Sequence, residues 1–177
     1  MGVIAYLPYL RDIVSGKTVP HAFSWLIWAL LTGIGFWAQV TGDGGPGAWS
    51  TGITSASCFT IFMFALFRGE RNIAPFDWAC LIVGLAGIPI WLITDTPLWS
   101  VLLITGVDLI AFLPTYRKTF LKPSEETLLT YNLSSLKFIL GIMALRSFSV
   151  VTVLFPASIV LTNSTFVALV YWRRQNR

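Results

Sequence analysis

Three side chains stand out for where they lie rather than for a motif they complete. Asp108, Lys137 and Asn163 each interrupt an apolar stretch of the chain. Asp108 lies nine residues from Arg117, Lys137 eleven from Glu126 and Asn163 ten from Arg173. At ~1.5 Å per helical residue these offsets are roughly 14, 16 and 15 Å, so three different segments bring a polar group to one depth. A charge at the centre of a bilayer costs on the order of 2.5–3.5 kcal/mol even on insertion scales, and such groups turn inward and pair. Asp108 and Lys137 are therefore expected to face one another or share a polar cavity, as part of a substrate or proton site. A fixed ion pair that locks two helices together is the structural alternative, and a Lys137 that snorkels away from Asp108 is the third.

The first part of the chain has no matching charges. It offers Trp25 and Trp28, about one helical turn apart, as stacking platforms for a flat or sugar-like solute. An interfacial anchor is the competing reading of Trp25. Ser57, Thr54 and Gln39 are the polar groups of this part, and Ser57 is expected to stand as the counterpart of Asn163. Asn132, Ser134 and Ser135 either bond a solute or bond across helices. His21, after Pro20, reads as a surface cap rather than a proton relay. Cys58 and Cys80 lack metal or disulfide spacing and read as inert small hydrophobes. One histidine, no metal-ligand cluster and no nucleophile–base spacing argue against an enzyme, and no glycine-rich phosphate motif calls for a nucleotide or another cofactor.

The elements that hold these residues follow from composition. The chain is 177 residues long, 55% hydrophobic and 11% charged, with a mean hydropathy of +0.74. Soluble globular domains carry about 25% charged residues, so too few polar residues are present to cover a large soluble core. Residues 22–40, 48–67 and 147–172 are free of charge, and 78–93 is almost purely apolar. Runs near 20 residues match a hydrocarbon core about 30 Å thick. In lipid the backbone must bond internally, which predicts helices. The spacing gives a short first helix ending near Arg11, then helices over 21–40, 48–67, 76–93, 98–116, 126–145 and 149–172. Turns rich in glycine, proline and charge separate them at 41–47, 68–72, 94–97 and 122–124. Asp77, Glu125 and Glu126 are expected in first turns, where the helix dipole favours acids.

Ten of the twelve basic residues fall on one side of this arrangement: Arg11, Lys17, Arg68, Arg71, Arg117, Lys118, Lys122, Arg173, Arg174 and Arg177. Arg146 is on the other side and Lys137 lies within a helix. The positive-inside rule then puts the ten in the cytoplasm, with the C-terminus inside and the N-terminus outside. The expected location is the plasma membrane, as a multi-pass protein. The sequence pI near 9.3 follows from that topology and needs no nucleic acid. A homo-oligomer is left open.

The sequence also repeats. IAYLPYLR at 4–11 returns as IAFLPTYR at 110–117, identical at five of eight positions. The same offset of 106 carries the second helix onto the sixth and the third onto the seventh, with Ser24-Trp25 on Thr130-Tyr131, Gly35 on Gly141 and Arg68 on Arg174. Both octets end on the basic side, so the two three-helix units face the same way and a fourth helix must lie between them. The expected fold is an all-α membrane protein, a 3+1+3 parallel repeat. Its parts are residues 1–68, a first bundle; 69–107, a linker with the inverting fourth helix and the start of the fifth; and 98–177, the second bundle. Parallel repeats about an axis along the membrane normal are a transporter design with the site near mid-membrane.

This arrangement resembles the SWEET and PQ-loop transporter superfamily. The residues that carry the resemblance are Pro8 and Pro114 near the inner end of each lead helix, the basic loops 11–17 and 117–122, Ser24-Trp25, and Asn163 in the last helix. Tyr9 and Thr115 stand where PQ-loop proteins carry the glutamine of their name. The resemblance implies a small polar solute, such as a sugar or an amino acid, moved by alternating access, with Pro8 and Pro114 as hinges of an inner gate. A non-transporting receptor or scaffold of the same fold is the alternative. By analogy with the fifth helix, the first is expected to lack its outer half.

Overall fold

The computed structural model describes residues 4–41, 48–93, 97–143 and 148–176. Among these are seven α-helices, one 3-10 turn and no strand. The helices are α1 (Leu7–Val14), α2 (Ala22–Thr41), α3 (Ala48–Arg68), α4 (Pro75–Leu92), α5 (Pro97–Leu121), α6 (Leu128–Met143) and α7 (Val150–Gln175). The 3-10 turn, Pro123–Glu125, lies between α5 and α6. Gly2, Arg146 and the turns at 42–47 and 94–96 lie outside the described residues, as do the side chain of Gln39 and details of Gly35 and Gly141.

Local chemistry sets several ends. α1 closes on Gly16, whose φ of +72° is left-handed and whose N–H donates to the Ile13 carbonyl at 3.1 Å. α4 starts with Pro75, whose missing N–H is unneeded there, and Asp77 in its first turn accepts from the Ala74 N–H at 2.8 Å. Glu125 and Glu126 precede α6 instead of opening it, because Pro123 starts a 3-10 turn that takes up Glu125 and ends on an extended Glu126. Pro114 lies inside α5 as expected, but Pro8 is in the first turn of α1, where it interrupts no helix interior.

The helix pairings have an internal order. α2 packs on α3 as α6 packs on α7; α1 meets α6 as α5 meets α2; α1 meets α3 as α5 meets α7. Exchanging α1, α2 and α3 with α5, α6 and α7 maps each of these pairs onto another. α4 stands outside the exchange and packs on α5 and α2. It approaches closely through glycines: a Cβ at Gly87 would run into Val107 Cγ2, and one at Gly84 would meet Ile27 Cδ1 at 2.8 Å.

Among the described residues one stretch, Val153–Gln175, is long and apolar enough to cross a membrane, with mean hydropathy 1.9. A soluble core helix of that character would be mostly buried, whereas here 22% of the apolar window is buried. Shorter apolar stretches cover 22–34, 52–68 and 75–90. The outer faces are apolar too: Ile82, Val83, Leu102, Leu109, Leu136 and Leu161 are all exposed.

Candidate functional site

The interior has two levels, and each is built by helices from both ends of the chain. At the basic end, Lys118 of α5 and Glu126 before α6 form a buried ion pair. Lys118 also donates to the Val19 carbonyl at 2.6 Å and to the Glu125 carbonyl at 3.2 Å, which fills the three donors of an ammonium. Glu126 Oε2 accepts from Tyr9 at 3.1 Å and from Tyr131 at 3.3 Å, and the Trp25 indole N–H donates to the Tyr9 hydroxyl at 3.3 Å. Thr127 donates to Asp12 at 2.8 Å and shares a hydrogen bond with Thr18. The loop after α1 is thus tied to the loop after α5, with Val19 N–H donating to the Glu125 carbonyl at 3.1 Å.

Beside this network Arg117 clamps Asp77 through two nitrogens, at 3.0 and 2.6 Å. His21 lies 3.6 Å from the same carboxylate with no exposed surface, so it is buried and not a surface cap. Lys122 pairs with Glu70 at 2.8 and 3.0 Å. Burial opposes the charge of Glu70, yet the Lys122 ammonium and the Asn72 N–H outweigh it and hold the carboxyl below its ordinary range.

A cluster of aromatic rings separates the two levels. Trp25 meets Tyr9 at a tilt with centroids 4.8 Å apart, Trp28 meets Phe112 edge to face at 4.9 Å, and Tyr131 meets Phe166 at a tilt at 4.5 Å. Trp25 is 2% exposed, so it is a core residue at the floor of a cavity and not an interfacial anchor.

Above that floor lies a cavity of about 640 Å³, its open mouth included. Its wall takes Tyr6 just before α1, Trp28 and Thr32 from α2, Thr54 and Cys58 from α3, Asp108 from α5, Thr130 and Ser134 from α6, and Ile159 and Asn163 from α7. Every helix contributes except α4, once Tyr6 is counted with α1. The Trp28 indole lies beside Asp108 in this wall. Asp108 Oδ2, Asn163 Nδ2 and Thr130 Oγ1 are buried and meet no hydrogen-bond partner.

The predicted site residues divide clearly. Asp108, Asn163, Trp25 and Trp28 all line the cavity. Asp108 and Lys137 form no ion pair within 4.0 Å, so the fixed lock between α5 and α6 is not the arrangement found. Lys137 Nζ instead makes a long contact with Thr54 Oγ1 at 3.5 Å and sits 4.6 Å from the Phe138 ring, both residues of the cavity wall. Asn132 is exposed and is not brought to the cavity. Ser57 bonds its own helix at the Ile53 carbonyl, 2.8 Å away, and is not in the wall. Cys58, Ile61 and Ala65 are buried at the same spacing as Asn163, Phe166 and Val170, so the buried position of α3 that matches Asn163 in this pattern is Cys58 and not Ser57. Tyr6, Cys58 and Lys118 are the residues that sequence reasoning missed. The buried spacing could have shown Cys58, and the acid pair Glu125-Glu126 so close to Lys118 could have shown that pairing.

Among the described residues no group of three or more His, Cys, Asp or Glu side chains could hold a metal. The chain matches no protein-family model, no curated protein and no solved structure. The functional reading therefore rests on the cavity.

Proposed function

We propose that the protein is a multi-pass membrane carrier of a small polar solute, working by alternating access between two same-facing three-helix units. The observation that carries this reading is the central cavity: it draws its wall from both units and presents buried polar atoms without partners. Ligand sites are mostly apolar concavities with a few placed polar groups, which is the composition of this one. The exchange of helix pairings supports two units related by an axis through the cavity, with α4 as the inverting helix. Apolar outer faces and basic residues gathered at one end support a bilayer around the bundle and the basic end in the cytoplasm.

In this reading the structure is the state closed toward the cytoplasm. The Lys118–Glu126 pair with Tyr9 and Tyr131 is the inner gate, and Pro114 is the break in α5 about which the gate opens. A non-transporting receptor of the same fold predicts a closed apolar interior, and the unpartnered Asp108 and Asn163 atoms speak against it. The test is uptake of a labelled solute panel into proteoliposomes holding the purified chain. At least one solute should enter faster than into empty vesicles, and Ser134→Phe, which fills the cavity, should abolish that entry. A panel with no protein-dependent uptake sinks the proposal.

A further inference from the structure

The basic end holds one arginine that the fold does not use up. In the first unit Arg68 closes α3 and donates to the Val14 carbonyl at the end of α1, 2.7 Å away. The offset of 106 places Arg174 on Arg68 and Phe120 on Val14. Arg174 ties α7 to the segment before α6, donating to the Pro123 carbonyl at 2.9 Å and to the Glu126 carbonyl at 2.8 Å. The second unit then carries Arg173 as well, where the first has an exposed Phe67. Arg173 Nε donates to the Phe120 carbonyl at 3.0 Å, and its guanidinium lies 4.2 Å from the centre of the Phe120 ring and 5.9 Å from that of Trp172. Among the described residues it has no ion-pair partner within 4.0 Å and no further hydrogen bond, so its two Nη groups are left to donate elsewhere.

Depth and surroundings say what those donors meet. Arg173 is ten residues beyond Asn163, roughly 15 Å along α7, which is half of a hydrocarbon core about 30 Å thick. The guanidinium is therefore at the level where acyl chains give way to headgroups. Phe120, Tyr171 and Trp172 are exposed around it, and tyrosine and tryptophan rings gather at that level. A guanidinium laid over a ring and pinned through Nε has little freedom left to lose, and its Nη pair presents the fork that matches a phosphate. We propose, resting on the bilayer part of the reading above and not on transport, that Arg173 on Phe120 and Trp172 binds the phosphate of an anionic phospholipid in the leaflet at the basic end. The acyl chains of that lipid run along the exposed apolar faces of α5 and α7. A zwitterionic lipid brings its own ammonium to Arg173 and Arg174 and is disfavoured by repulsion. A water-soluble acidic partner leaves the exposed rings beside Arg173 uncovered.

The test is native mass spectrometry of the full chain released from detergent micelles that hold dioleoyl phosphatidylglycerol or dioleoyl phosphatidylcholine, with glycerol phosphate as the probe that has the phosphate and no acyl chains. The chain should retain phosphatidylglycerol about tenfold more tightly than phosphatidylcholine, because the fork adds a charge-assisted bond that only the anionic headgroup leaves unopposed. Arg173→Ala should release that lipid. Arg173→Lys keeps the charge without the fork and should hold it more weakly than the parent, and Phe120→Leu, which keeps the carbonyl and removes the ring, should weaken it about threefold. Arg71→Ala removes a rim charge of the first unit, bonded at 3.0 Å to the carbonyl of its own helix, and should leave the lipid in place. The lysine and leucine variants keep the test open if Arg173→Ala fails to fold. Equal retention of the two lipids, equal loss from Arg71→Ala and Arg173→Ala, full retention by Arg173→Lys and Phe120→Leu, or glycerol phosphate binding as tightly as the lipid would each overturn the proposal. Lipid retained by a chain that moves no solute would overturn the carrier reading alone, and uptake by a chain that retains no anionic lipid would overturn this site alone.

Discussion

At the basic end of the bundle the Glu126 carboxylate accepts from Lys118, Tyr9 and Tyr131, while at the cavity Asp108 Oδ2, Asn163 Nδ2 and Thr130 Oγ1 are as deeply buried and meet no partner. Both levels use acidic and other polar side chains held by α5, α6 and their neighbours. They differ in whether the protein itself supplies the second half of each hydrogen bond. Where it does, the polar groups hold loops and helix ends together. Where it does not, the fold keeps a desolvated group whose cost other contacts offset.

That contrast can be broken most forcefully at Lys118. Lys118→Met strands Glu126 in the interior and should lower stability by about 3–5 kcal/mol, read as a fall in thermal midpoint in detergent. Adding Glu126→Gln should recover much of the loss, since the amide still accepts from the tyrosines. A single variant as stable as the parent would show that the network holds nothing. Gly87→Ala comes next: the new methyl meets Val107 and should push α4 from α5 at a cost of about 1–3 kcal/mol in the same melt. Asp108→Asn sharpens the contrast from the other side. It should change the melt by less than about 1 kcal/mol, because no ion pair is lost, while weakening solute binding about tenfold. The smallest effect belongs to Glu70. Its carboxyl titrates below its ordinary value, so its contribution is present above the unfolded value near 4.5 and is lost as pH falls through the lower folded value. Lys122→Gln should therefore flatten the acid limb of the stability curve by under about 1 kcal/mol, since Lys122 is partly exposed.

The helices and their order were legible because apolar runs, glycine and proline turns and clustered basic residues act locally, and the boundaries of α2, α3 and α4 differ from the expected ones by a residue at most. The cavity was half legible. Asp108 and Asn163 announce themselves as polar groups in apolar helices, and depth alone placed them together. Which way a side chain turns is decided by helix rotation and packing, and there the reading failed for Ser57 and Asn132. Ser57 differs from its neighbour Cys58 by one step of about 100° around α3, enough to move it from the cavity wall to its own backbone. Lys118 was hidden for a related reason: it lies among other basic residues, and although Glu126 is only eight positions on, which of the neighbouring lysines and arginines turns inward to pair with it is decided by packing.

The account turns on one level being sealed and the other open to solute. The most direct measurement is labelling of Ser134→Cys, in a chain carrying Cys58→Ala and Cys80→Ala, by a membrane-impermeant thiol reagent applied to either face of sealed vesicles. The account predicts labelling from the face opposite the basic loops, protection by the transported solute, and new labelling from the basic face when Lys118→Met loosens the gate. Labelling from neither face, or equal labelling from both before the gate is touched, would contradict it.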